Sequence, residues 1–208
     1  MRYVNALVRM AIAAVGSYAT YNFIRDSPDT WWTTFTAQSN VMAAAVMLWA
    51  AWALLARRPT PPAWLQGAAT LYLGITAIVY ALVLGYPDTP QPHVLFIFTN
   101  TELHHAVTPI ATALVWILFV EHRRIRWRWA GLWLIYLVAY LGAMLVRGVL
   151  VPSSEYPYSF IDVKALGWGG LGISILEYAI AFYLAGLLLV ALDRVLPRRT
   201  PLSEPSAG

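Results

Sequence analysis

The chain contains no cysteine, so neither disulfide bridges nor thiolate chemistry is available to it. Charge is scarce as well: 12% of the 208 residues are Asp, Glu, Lys or Arg, and 60% are hydrophobic. A soluble domain has about 25% charged residues, so this composition, with a mean hydropathy of +0.60, excludes an ordinary water-soluble fold. No Walker-type loop, dinucleotide fingerprint, internal repeat or low-complexity block is present, which removes the usual nucleotide-cradling chemistries. Metal ligands are few. His104 and His105 are adjacent and diverge on a helix, while His93 and His122 fall in connections, so no metal centre, haem or other cofactor is expected. The net charge of +4 would suggest nucleic acid in a soluble protein, but here the basic residues follow a membrane pattern and no nucleic-acid partner is expected.

What is present is long apolar runs. A helix needs about 20 mostly apolar residues to cross the hydrocarbon, and six segments suit that purpose, near 4–24, 37–56, 65–85, 98–120, 128–150 and 168–192. The punctuation RRPTPP, YPDTPQP, EHRRIRWR and VPSSEYPYS separates the later ones. Arg57 and Arg58, then Arg123, Arg124, Arg126 and Arg128, then Arg194, Arg198 and Arg199 occupy alternate connections, with Arg2 and Arg9 on the same side. The opposite connections hold only Arg25, Arg147 and Lys164, and the positive-inside rule then puts both termini in the cytoplasm. The expected fold is all-α: a polytopic membrane protein of six transmembrane helices, one domain over residues 1–196 and a disordered tail over 197–208. The first segment is too long for a cleaved signal peptide and reads as a retained helix.

Polar residues gather at one end of this bundle. The second segment has only Val41 to Ala56 as an uninterrupted apolar run, so Thr36 to Asn40 must be drawn into its first turns, with Thr36, Ser39 and Asn40 on one face. The fourth opens with TNTELHHAVTP, Thr99 to Pro109. There Thr101, Glu102, His105 and Thr108 share a stripe, Glu102 is able to touch His105, and His104 points about 100° away with Asn100. The fifth ends at Arg147 and Gly148, and the sixth carries Glu177 near its middle. An ionisable residue at such depth is a functional hypothesis by default. The connection YPYSFIDV, Tyr156 to Val163, reads as an interfacial lid with one acid, Asp162.

A threonine hydroxyl becomes a nucleophile only beside a general base, and histidine is the usual choice. Thr36 and His105 form such a pair if their helices are neighbours, with Gln38, Asn40 or Asn100 as oxyanion donors, Glu102 or Asp162 orienting the base, and Arg147 holding a substrate carboxylate. The same pocket, anchored by Arg147 and Glu177, also suits a lipid carrier that catalyses nothing. A third possibility is that the polar residues only join helices.

FTAQSN, LHHAVTP, VRG and YPYSFIDV, in this order, resemble the bacterial branch of the androgen-induced-gene and androgen-dependent TFPI-regulating protein family of six-span membrane proteins. The resemblance runs from the first helix into the sixth. It implies an intramembrane threonine hydrolase acting on fatty acid esters of hydroxy fatty acids or similar lipid esters, in a bacterial inner membrane. The nucleophile then falls on Thr36. The histidine falls on His105 when HAVTP is matched to the bacterial pattern, and on His104 when counted five before Pro109 as in the animal members.

Overall fold

The structure is a computed structural model that describes residues 1–85, 89–151 and 153–198. The expected tail lies outside the described residues from 199 onward. Among the described residues five helices are long and apolar enough to cross a membrane: α2 (Phe35–Leu55), α3 (Ala63–Leu84), α4 (Asn100–Phe119), α5 (Arg128–Leu150) and α6 (Val163–Val195). They mark a membrane-embedded protein. The helix before them, α1 (Arg2–Asp26), has the length but is less apolar, and it buries Asn5, Arg9, Thr20 and Asn22.

The chain forms two compact units, Met1–Ile125 with the stretch from Leu192, and Arg126–Ala191. In the first unit, α1 to α4 pack through small side chains. Ala13 meets Ala44, Met47 and Val115, Ala6 meets Ala51 and Leu54, and Ala43 and Val46 meet Ala69 and Leu73. Lipid tails are as apolar as leucine, so helices gain little by hiding large apolar groups from them. Close approach of backbones over alanine and glycine is what holds such a bundle. At Gly16 a side-chain carbon would stand 3.6 Å from the Asn40 amide and 3.5 Å from the Thr108 methyl, which shows how near α1 lies to α2 and α4.

Two helices carry a π-turn. The last turn of α3 widens over Tyr80–Leu84 and stops at Gly85, whose φ of 74° is the left-handed conformation that glycine adopts most readily. In α4 the wide turn is Leu103–Val107, immediately before Pro109. A proline within a helix removes one hydrogen bond and its ring presses on the carbonyl four residues back, here that of His105. The extra residue of the π-turn relieves that pressure. The Thr108 hydroxyl oxygen then lies 2.9 Å from the Leu103 carbonyl and 3.4 Å from the His104 carbonyl. Between α3 and α4 a short antiparallel hairpin, β1 (His93–Leu95) and β2 (Phe98–Thr99), is tied to α1 by the Tyr18 hydroxyl, which donates to the Val94 carbonyl.

The same unit is closed by a buried carboxylate. Asp193, fully buried near the end of α6, accepts from the Arg124 and Ile125 amides at 3.0 and 2.9 Å and meets His122 Nδ1 at 3.3 Å. Hydrogen bonds to a charged acceptor contribute about 1.5–3 kcal/mol each, and the Ile125 amide left behind is buried. Asp193→Ala should therefore lower stability by on the order of 3 kcal/mol, read as a clear drop in the melting temperature of the detergent-solubilised protein. An unchanged melting temperature would show that the loop is held by other contacts.

In the second unit α6 is interrupted at Gly167 (φ 65°, ψ 170°), so its continuous apolar stretch begins beside the expected start at 168. Asp162 caps the short turn before it, accepting from the Lys164 and Ala165 amides. The connection Tyr156 to Val163 packs on its own helix: Phe160 stacks between Tyr158 and Tyr178, and the Phe160 carbonyl accepts from Ser174.

Candidate functional site

Thr36 sits in the first turn of α2, just after Thr34, whose hydroxyl caps the helix by accepting from the Ala37 amide. His105 lies within the π-turn of α4. The Thr36 hydroxyl oxygen is 3.3 Å from His105 Nε2, and both side chains are half-buried, so a substrate can reach them. His105 Nδ1 is 2.9 Å from the Thr101 carbonyl oxygen. A carbonyl only accepts, so Nδ1 carries the hydrogen, and in the neutral ring Nε2 presents its lone pair to the Thr36 hydroxyl. The Thr101 carbonyl thus sets the tautomer of His105. Tyr80, from the π-turn of α3, stacks on the imidazole with ring centres 4.0 Å apart and 20° between planes, which fixes the ring's plane. Two π-turns therefore converge on one histidine, and such turns recur at functional sites.

The backbone under Thr36 is held from two sides. Ser39 and Asn40 both donate to the Thr36 carbonyl, at 3.0 and 2.9 Å, and Asn40 Oδ1 accepts from Thr108 at 2.7 Å. Asn40 is almost fully buried, and its amide ties the start of α2 to α4. Ser39 also shares a hydrogen bond with Thr76 of α3. Thr36 and His105, from separate helices, are locked to the same three-helix contact.

His104 points to a different neighbour from His105, towards α1 rather than towards α2 and α3. His104, 3% exposed, lies 3.4 Å from the Thr20 hydroxyl of α1 and edge-on to Phe23. Thr20 donates to the Gly16 carbonyl at 2.9 Å, so its hydroxyl hydrogen is already used. Each histidine thus faces a threonine, but only His105 combines an anchored Nδ1 with a reachable hydroxyl. Thr20 is not among the residues expected at the site; the polar run from Ser17 through Thr20 to Asn22 is the signal in the sequence that points to it.

No family model, curated protein or solved structure matches the chain.

Other expected members have different partners. Glu102 does not orient His105: its carboxylate accepts from the Thr99 amide and hydroxyl at 2.8 and 3.0 Å, completing a capping box that starts α4. Thr99-x-x-Glu102 is the sequence signature of that box and could have been read as such. Thr101 donates its hydroxyl hydrogen to Gln91. Gln38 donates to the Trp32 carbonyl, roughly 200° around the helix from Thr36 by the 100° step, and so serves the loop before α2. Asn100 alone among the expected amides keeps a buried oxygen with no hydrogen-bond partner among the described residues, one turn before the histidines. Arg147, Asp162 and Glu177 belong to the second unit. There Arg147 donates to the Glu155 carbonyl, Asp162 caps a helix, and Glu177 is exposed.

Proposed function

We propose that this chain is an integral membrane hydrolase of lipid esters, with Thr36 as nucleophile and His105 as general base. The observation that carries the reading is the Thr36 Oγ1 to His105 Nε2 approach, with Nδ1 committed to the Thr101 carbonyl. The hydroxyl oxygen attacks the ester carbonyl carbon while its proton passes to Nε2. Collapse of the tetrahedral adduct breaks the bond to the alcohol oxygen, which takes that proton from the imidazolium. Water, deprotonated by the same Nε2, then attacks the acyl carbon; the bond to Thr36 Oγ1 breaks, that oxygen takes the proton back from Nε2, and the fatty acid leaves. The helix dipole at the start of α2 favours negative charge near Thr36.

FTAQSN, LHHAVTP, VRG and YPYSFIDV support membership of the androgen-induced-gene family, and with it fatty acid esters of hydroxy fatty acids as the substrate class. The arginine distribution supports α1 as a sixth span, both termini in the cytoplasm, and residence in a bacterial inner membrane. Treatment of the purified protein with a fluorophosphonate probe tests the chemistry. Adduct mass on the peptide containing Thr36, absent in Thr36→Ala and His105→Ala but present in His104→Ala, is the expected result. A folded wild type that never takes up probe would sink the proposal.

A further inference from the structure

The opposite end of α1 and α2 holds a second group of buried polar atoms that the threonine site does not use. Arg9 is 2% exposed. Its Nε donates to Asn5 Oδ1 at 2.8 Å and one terminal nitrogen touches the Met47 sulfur at 3.6 Å, and no carboxylate pairs with it among the described residues. An uncompensated guanidinium in a membrane bundle is costly, and such residues mark ligand or ion sites. Gln66 of α3 is 6% exposed; its Nε2 donates to the Pro61 carbonyl at 2.7 Å, while its Oε1 is buried with no partner among the described residues.

Arg9, Asn5 and Gln66 line one cavity of about 680 Å³, whose apolar walls include Leu54, Trp64 and Phe119. That volume is within the usual range for a site enclosing a small organic molecule, about 300–1,000 Å³. Arg124 and Arg198, also in the lining, share Glu121, so among the described lining residues three guanidinium groups stand against one carboxylate. Leu54 lies roughly 27 Å further along α2 than Thr36, at about 1.5 Å per residue, so this cavity is separate from the threonine site.

We infer that this cavity binds a single-chain anionic lipid whose head carries a hydroxyl group beside its anionic oxygen. The anionic oxygen pairs with Arg9, supplying the missing counter-charge. The hydroxyl donates to Gln66 Oε1, which needs a donor and would repel a second anionic oxygen. The chain lies along Leu54, Trp64 and Phe119. The inference does not rest on the hydrolase reading, because none of these residues takes part in it.

The test is equilibrium binding to the full-length protein in neutral detergent, using lysophosphatidylglycerol, oleate, lysophosphatidylcholine and glycerol 3-phosphate as probes. Lysophosphatidylglycerol should bind most tightly, oleate several-fold more weakly, and the other two at least tenfold more weakly. Arg9→Met should lower lysophosphatidylglycerol affinity at least tenfold while raising the melting temperature without ligand, since a buried unpaired charge is gone. Gln66→Leu should erase the preference over oleate, and Thr36→Ala should bind as wild type does. Unchanged affinity in Arg9→Met, or equal affinity for lysophosphatidylcholine, would overturn the inference. Equal affinity for glycerol 3-phosphate would assign the site to a free phosphate ester and overturn the lipid assignment. If Arg9→Met does not fold, unchanged selectivity in Gln66→Leu is the overturning result.

Discussion

His105→Ala should slow hydrolysis of a long-chain ester by about 10²–10⁴-fold, the range that a positioned general base contributes. Thr36→Ala should bring the rate to the buffer background, because the bond-forming atom is removed. His104→Ala should stay within a few-fold of wild type, since His104 faces Thr20, whose hydroxyl hydrogen goes to the Gly16 carbonyl. The readout is the steady-state rate on purified, monodisperse protein, with circular dichroism to show that each variant is folded. The ordering separates two roles that the adjacent residues leave open in the sequence. If His104→Ala is the inactive variant and His105→Ala is not, the base has been assigned to the wrong ring and Thr20 becomes the hydroxyl to examine.

Pro109→Ala should reduce the same rate by about 10–10²-fold without lowering the melting temperature. The π-turn at Leu103–Val107 is matched to a proline that cannot tolerate the His105 carbonyl in a regular helix. With alanine there, α4 regains an ordinary hydrogen bond and the extra residue has no reason to persist. Closing the wide turn rotates His105 relative to the lower part of α4 and moves Nε2 away from the Thr36 hydroxyl. Misplacement by about 1 Å is enough to cost roughly 10²-fold. Full activity in this variant would mean that the wide turn is incidental to the Thr36–His105 contact and that Tyr80 and Thr101 hold the ring unaided.

Hydropathy alone located the membrane helices closely because a span must be apolar along its whole length. The fifth was expected over 128–150 and is found at Arg128–Leu150, and the second was expected over 37–56 and is found at Phe35–Leu55. The need for length also places Thr36 in α2, where the structure has it. Pairwise placement is different in kind. The Thr36 to His105 approach joins residues 69 positions apart, and nothing in either helix specifies its neighbour. The wide turns were hidden too, since a π-turn has no composition of its own; only Pro109 hinted at one. Glu102 was misread because spacing along a helix stripe was followed where a local capping signature took precedence. For Arg147 and Glu177, membrane depth estimated from sequence said nothing of the carbonyl that engages Arg147 or of the exposed face that carries Glu177.

The contact between Asp193 and the loop at Arg124 and Ile125 has a bearing on how the protein is made. The loop emerges from the ribosome long before the carboxylate that satisfies its amides, about 70 residues later, or several seconds at about 5–20 residues per second. Until then those amides must find water or a temporary acceptor, and the first four helices wait without their final fastening. Completion of the last helix is thus also the event that seals the first unit, and a chain that terminates before Asp193 leaves the Arg124 and Ile125 amides without that carboxylate.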